Sequence, residues 1–163
     1  MFSLEIVTLA RLLVDEARER SLRIVTAESC TGGLVAGAIC QVAGASDVFE
    51  RGFVTYSNRA KQELLGVPGD LIADLGAVSE PVARMMAEGA LENSNAHLSV
   101  AITGVAGPGG GTPLKPVGTV HIATARTNHG LTHRQEMFEL DERIDIQLAA
   151  VRSALEMLRE RLA

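Results

Sequence analysis

Three stretches of this chain bring together side chains or bare backbone with chemical potential. The first is Thr26-Ala-Glu28-Ser29-Cys30-Thr31-Gly32-Gly33. A short hydroxyl residue where a strand-like run gives way to a helical one lies among backbone N–H groups at a helix N-terminus, where negative charge is stabilised. Such a place serves as an oxyanion hole beside a serine nucleophile, as a cradle for a phosphate, or simply as a helix cap made by Ser29 or Thr31. The second is Tyr56-Ser-Asn-Arg-Ala-Lys61. Lys61 and Lys115 are the only lysines among 15 basic residues, and Tyr56 is the only tyrosine. Burial can strip the charge from lysine but not from arginine, so a lysine kept in an arginine-rich chain is a candidate general base. The competing reading is a solvated helix lysine beside a half-buried strand tyrosine. The third stretch, Ile102-Thr103-Gly104-Val-Ala106-Gly107-Pro-Gly-Gly-Gly111, places five glycines between Gly104 and Gly111. Backbone there approaches a ligand without obstruction, or the segment is a plain flexible loop. Its spacing is neither GxGxxG nor GxxxxGK[ST], so it is specific to neither dinucleotides nor Walker-type nucleotide binding.

Other chemistries find less support. Cys30 has no histidine near it in sequence to stabilise a thiolate, and reads as a buried structural cysteine. His129 and His133 are separated by Gly130 in a hairpin signal, and no HExxH occurs, so neither a metal nor another cofactor is expected. GxSxG is absent and the four histidines fall late in the chain, which leaves a Ser-His-Asp triad open but without a motif.

The elements that must hold these stretches follow from periodicity. Leu4, Val7, Leu9, Leu12, Leu13 and Ala17 predict an amphipathic helix over about 3–20, and Leu22 to Thr26 a short strand. A buried helix is expected from Leu34 to Val42, and a second strand from Phe49 to Ser57. A short helix Arg59 to Leu65 then follows, N-capped by Asn58. Gly66-Val-Pro-Gly69 breaks it, and Ser79-Glu-Pro81 starts another helix. Leu98 to Ile102, Val117 to Ala125 and Leu131 to Leu140 predict three strands, the last two joined by a Thr127-Asn-His-Gly130 hairpin turn. Ile144, Leu148, Val151, Leu155 and Leu158 mark a closing helix over about 142–162. The order αβαβααβββα predicts one three-layer α/β/α domain with a mixed sheet, spanning residues 1–163.

Composition narrows the partners. A formal charge of −5 and an aromatic content of 3% offer neither counterion release from phosphates nor stacking platforms, so no nucleic-acid role is expected. Residues 1–20 are too charged for a secretory signal, and the weakly polar stretch from Gly32 to Ala45 is too short to span a bilayer. Cys30 and Cys40 form no disulfide framework. The expectation is a cytoplasmic protein acting on a small molecule, with small residues serving both an aliphatic core and bare backbone beside a ligand.

Taken in order, Glu28-Ser-Cys-Thr-Gly-Gly33, Gly52-Phe-Val-Thr-Tyr-Ser-Asn58 with Lys61, Leu65-Gly-Val67, Gly76-Ala-Val-Ser-Glu80, Thr103-Gly-Val-Ala-Gly-Pro108 and Lys115-Pro-Val-Gly-Thr119 resemble the CinA carboxyl-terminal domain family of nicotinamide-nucleotide amidohydrolases over about residues 5–160. The resemblance is to the stand-alone deamidase form, without the additional amino-terminal domain of full-length CinA proteins. It implies hydrolysis of the carboxamide of nicotinamide mononucleotide to nicotinate mononucleotide and ammonia, with Ser29 as nucleophile and Lys61 and Tyr56 as its base system. It also implies substrate contacts in the loop carrying Thr103, Gly104, Ala106 and Gly107, a basic contact at Arg143, and a homo-oligomer, by default a dimer. Amides of Cys30, Thr31, Gly32 and Gly33 are the expected oxyanion donors, and Lys61 needs burial or a positive neighbour such as Arg59 or Arg143 to become a neutral base. Two departures stand out: Phe138-Glu-Leu-Asp-Glu-Arg143 lacks a glycine of the family pattern and is one residue longer, and Gln147 stands where an arginine is often found. The alternative class is a nucleotide-binding or regulatory module that breaks no bond; a DNA-uptake factor conflicts with the acidic charge.

Overall fold

The computed structural model describes residues 1–163. Its elements are α1 (Leu4–Glu19), β1 (Ile24–Glu28), α2 (Leu34–Cys40), β2 (Phe49–Val54), α3 (Asn58–Leu65), α4 (Gly69–Leu75), α5 (Glu80–Glu92), β3 (Leu98–Gly104), β4 (Thr119–Arg126), β5 (Gly130–Met137) and α6 (Arg143–Glu160), with a 3-10 turn at Ala45–Asp47. The strands form one sheet in the order β2-β1-β3-β4-β5. β1 runs parallel to both β2 and β3, while β4 and β5 are antiparallel. Helices α1, α2 and α6 cover one face and α3, α4 and α5 the other, giving the expected α/β/α layers on a mixed sheet.

Local sequence accounts for this arrangement. All five residues of β1 are buried, as a strand covered on both faces requires. α1 buries Ile6, Ala10, Leu13, Val14 and Ala17, spaced three or four apart, and each large aliphatic among them contributes about 1.5–3 kcal/mol on burial. The β4–β5 hairpin turns at Asn128, whose φ of 63° suits asparagine. No helix is long and apolar enough to cross a membrane.

One expectation needs correction, and one helix is additional to those expected. The side chain that caps α3 belongs to Ser57, which accepts from the Ala60 amide at 3.0 Å, and Asn58 is already helical. Gly66 to Gly69 breaks α3 as expected, but a further short helix follows, because Pro68 stands at the N-cap of α4 with φ −60°, already the value a helix start needs. Small residues pack beneath α5, where Ala83, Ala87 and Ala90 meet Ala27, Ala101, Ala123 and Ala125.

The topology makes a crevice. From β1 the chain crosses through α2 on one face to β2, then returns through α3, α4 and α5 on the other face to β3, so the connections that follow the neighbouring strands β1 and β2 leave toward opposite faces. Crevices at the carboxyl ends of strands where direction switches in this way are where α/β sheets bind ligands. Ser29 is the first residue after β1.

Gly89 decides how closely α5 seats. A Cβ there would lie 1.9 Å from the Leu65 carbonyl oxygen at the end of α3. Alanine would gain about 1 kcal/mol of helix propensity, but this clash with backbone outweighs it. Gly89→Ala is expected to lower stability by about 2 kcal/mol or more in urea unfolding; a variant as stable as the parent would show that α3 and α5 are not in tight contact.

Candidate active site

Ser29 begins where β1 ends, and its amide continues the sheet by donating to the Ile102 carbonyl at 2.9 Å. The chain then turns through Gly32 (φ +56°) and Gly33 (φ +97°), conformations that glycine adopts without strain, before α2 begins. Beneath this turn lies Glu28, a fully buried carboxylate. It accepts from the Thr31 hydroxyl at 2.7 Å and from the Val35 and Ala36 amides at 2.8 and 3.0 Å. A carboxylate at the positive end of a helix is well placed, and here it takes the donors of the first helical turn.

That contact corrects the donor set. With Val35 and Ala36 bound to Glu28 and Leu34 bound to the Thr31 carbonyl at 3.0 Å, the amides of the first turn of α2 are taken, and the Gly32 amide is spent on the Ser29 carbonyl at 3.0 Å. Thr31, Gly32 and Gly33 do not line the cleft; of the turn, only Ser29 and Cys30 do. The Cys30 amide takes no acceptor from another residue and is the free amide of the turn that borders the cleft.

α3 delivers the lysine. Lys61 and Leu65 are its buried residues, one turn apart on the face against α5. Lys61 is 1% exposed, and its Nζ lies 2.9 Å from Ser29 Oγ and 2.8 Å from the Thr55 carbonyl oxygen. Burial pushes its amine below the ordinary lysine range. As an ammonium, Nζ donates to both oxygens; as a neutral amine it donates to Thr55 and accepts the Ser29 hydroxyl proton. Neither arginine expected to assist does so. Arg59 is exposed and pairs with Glu63, whereas Arg143 donates to the Gly107 carbonyl at 2.6 Å and the Tyr56 hydroxyl at 2.7 Å. Tyr56 is 61% exposed at the rim of the cleft and makes no hydrogen bond to Lys61 or Ser29.

Ser29, Cys30, Tyr56, Lys61, Thr103, Gly104, Ala106, Gly107 and Arg143 line one cleft of about 290 Å³. Thr103, at the end of β3, donates its hydroxyl to the Ala77 carbonyl at 2.9 Å and so fixes the Ala77-Val78 wall opposite Ser29. The amides of Ala106, Gly107, Gly109 and Gly110 along the glycine loop have no acceptor within the protein. The family model described as the CinA C-terminal domain matches residues 6–162. The chain belongs to that family. A crystal structure of competence/damage inducible protein CihA from Agrobacterium tumefaciens superposes with a TM-score of 0.97 at 48% identity, covering 98% of this chain and 97% of that one. A CinA superfamily protein from Escherichia coli gives 0.90 at 37% identity, over 95% of this chain and 89% of the other. A CinA-like protein of Prochlorococcus marinus is 48% identical over 156 residues, 95% of this chain and 36% of its own length. One from Akkermansia muciniphila is 58% identical over 118 residues, 72% of this chain and 28% of its own. The chain thus spans about a third of the length of these two curated relatives.

Within this CinA domain the histidines stay clear of the serine. His133 Nδ1 donates to Glu80 at 2.9 Å, which leaves its Nε2 to accept from His121 Nδ1 at 2.9 Å. Burial lowers the pKa of both rings. They brace the start of α5 and supply no triad. Lys115 likewise serves structure, donating to the Leu75 carbonyl at 2.6 Å. Two residues that hold the site escape local pattern reading. Glu28 carries one signal, a carboxylate within an otherwise uncharged central strand. Gln147, which donates to the Cys30 carbonyl at 2.8 Å from 117 positions away, carries none as a site residue.

The thiol of Cys30 is pushed up to about 12 by burial and stays protonated. Iodoacetamide at about pH 8 is expected to alkylate exposed Cys40 and spare Cys30 in the native protein, as read by peptide mass spectrometry; modification of Cys30 at a comparable rate would contradict its burial. Lys61 makes stability depend on pH. Its folded pKa lies below the unfolded value of about 10.4. Between the two, the unfolded chain binds a proton that the folded one refuses, so stability rises with pH. Relative to Lys61→Met, the native protein is therefore expected to gain stability as the pH rises toward the unfolded value of about 10.4, measured by urea unfolding. A flat or falling difference would remove burial as the cause.

Proposed function

We propose that this chain hydrolyses the carboxamide of nicotinamide mononucleotide, giving nicotinate mononucleotide and ammonia. The observation that carries this reading is the buried Lys61 amine on the Ser29 hydroxyl, an activated-nucleophile pair with no other evident use. Membership of the CinA family supports the substrate class.

In this mechanism the neutral Lys61 amine removes the proton from Ser29 Oγ as the oxygen attacks the carboxamide carbon. The developing oxyanion is met by the Cys30 amide, a type of contact worth about 3–4 kcal/mol per donor in other hydrolases. Lys61, now an ammonium, returns the proton to the departing nitrogen, and ammonia leaves an ester on Ser29. Water enters by the same route: Lys61 takes its proton, the hydroxide attacks the ester carbonyl, and Lys61 reprotonates Ser29 as nicotinate mononucleotide is released. General base catalysis by one positioned group is worth about 10²–10⁴-fold.

The phosphate end finds its donors in the glycine loop. Ala106, Gly107, Gly109 and Gly110 present free amides along one wall, and Arg143 crosses from Gly107 to Tyr56 with a guanidinium suited to a phosphate. These are favoured over the start of α2, whose first-turn amides are taken by Glu28 and the Thr31 carbonyl and which does not line the cleft.

Ammonia release from nicotinamide mononucleotide, with the riboside and free nicotinamide as controls, tests the reading. Ser29→Ala and Lys61→Met are each expected to lower kcat by about 10³-fold or more. For the native protein, kcat/KM should fall about ten-fold per pH unit below the Lys61 pKa and level off above it. Binding of the nucleotide that survives Ser29→Ala, with no ammonia from either protein, would instead establish a module that binds without breaking a bond.

A further inference from the structure

The nucleophile turn is short, and three of its polar backbone groups are tied down. The Ser29 amide donates to Ile102 at 2.9 Å, the Ser29 carbonyl accepts from the Gly32 amide at 3.0 Å, and the Cys30 carbonyl accepts from Gln147 Nε2 at 2.8 Å. The first two bonds come from the sheet and from the turn itself. The third is made by a side chain of α6 and is the one hydrogen bond that holds the Cys30-Thr31 peptide from outside the turn. An acceptor at Cys30 demands a donor, so the amide nitrogen of Gln147 must face it.

Gln147 sits one helical turn after Arg143, and residues four apart lie on the same face of a helix. That face meets the cleft from above: Arg143 reaches Gly107 and Tyr56, and Gln147 reaches the turn. Peptide units are planar and trans, so the N–H of each points opposite to its carbonyl. The Cys30 amide shares its peptide with the Ser29 carbonyl, which the Gly32 amide holds, and the Cys30 carbonyl that Gln147 holds belongs to the next peptide, the one that leads through Thr31 to Gly32. If the Cys30-Thr31 peptide were free to rotate, Gly32 would be carried away from the Ser29 carbonyl, and the Cys30 amide would lose the orientation in which it meets a developing oxyanion.

We infer that Gln147 is a positioning residue, fixing the Cys30-Thr31 peptide so that the Ser29 hydroxyl and the Cys30 amide keep their reactive geometry. This rests on Ser29 being the nucleophile proposed above, and it assigns a use to the position at which the chain carries glutamine instead of the arginine of the family pattern. Gln147 touches neither Ser29 Oγ nor Lys61 and does not line the cleft. Its loss should therefore alter the rate of reaction at Ser29 without altering how tightly substrate binds.

The experiment compares the native chain with Gln147→Leu, Gln147→Glu and Gln147→Arg. Two readouts are taken: steady-state hydrolysis of nicotinamide mononucleotide, and the rate at which a fluorophosphonate labels Ser29, followed by intact mass. Leucine cannot donate and an ionised glutamate repels the carbonyl, so both variants are expected to lose about ten-fold in kcat and in labelling rate, with KM changed less than two-fold. Arginine retains a donor and should recover at least a third of the native rate. The midpoint of the pH profile should not move, because Lys61 keeps its own partners. Two non-donor variants keep the comparison alive if one does not fold. Native rates in both would overturn the inference, as would a raised KM at unchanged kcat or an arginine variant as slow as leucine. Labelling of native Ser29 without hydrolysis of the nucleotide would refute the substrate alone, leaving the labelling rates to decide the role of Gln147. A native Ser29 that is not labelled at all would overturn both.

Discussion

Putting one amine out of reach of water is the constraint around which this site is organised. A charged ammonium in an apolar setting is expensive, so burial holds the Lys61 amine below the ordinary lysine range and favours the neutral form that the proposed mechanism uses. Everything near it serves that exclusion. Lys61 shares its buried face with Leu65, and the carbonyl of Leu65 touches α5 where Gly89 leaves room for it. The two polar contacts Nζ makes, to Ser29 and to the Thr55 carbonyl, satisfy its hydrogen bonding without an opposing charge that would restore the proton. A carboxylate in place of either oxygen would turn the pair into an inert ion pair.

The one buried carboxylate close by is kept on a different errand. Glu28 lies directly before the nucleophile in sequence, yet its charge is spent on the start of α2 and on Thr31. The neighbouring residues thus divide the electrostatic work: the anion stabilises the helix end, and the neutral hydroxyl faces the amine. The division also explains why a glycine pair is needed immediately afterwards, since the chain must curl far enough for a side chain at position 28 to reach amides at positions 35 and 36. The glycine loop after β3, by contrast, presents amides with no competing carboxylate.

Much of this was legible from residues in order. Scarcity drew attention to Lys61 and Tyr56; the Ser29 and Thr103 segments declared themselves as strand ends running into glycine. The alternating and helical periodicities recovered the layered sheet, because burial on one or both faces writes itself directly into local sequence. What was not legible depends on contacts between distant positions. Nothing around Ser57 and Asn58 distinguishes two adjacent capping residues, and the backbone, not propensity, chose the serine. The helix over Gly69–Leu75 is short and follows a Pro-Gly pair that locally resembles a stop. The direct reach of Lys61 to Ser29, with Tyr56 turned instead toward Arg143, depends on how α3 and α6 lie across the sheet, which no single segment encodes.

Separation along the chain has a consequence for the order of events during synthesis. Ser29 and Lys61 lie in the first 61 residues, and their strands are parallel neighbours, but Arg143 and Gln147 belong to the last helix, 87 and 117 positions from the groups they hold. Contacts so far apart form late, because the loop between them must be closed before they contribute. A nascent chain that has emerged through β5 therefore contains both Ser29 and Lys61 while the surface of the sheet that α6 will cover is still bare and the turn is untethered. The turn is tethered when α6 docks, in the same step that seals the larger half of the core. The serine and the lysine are in this way made well before the helix that steadies them.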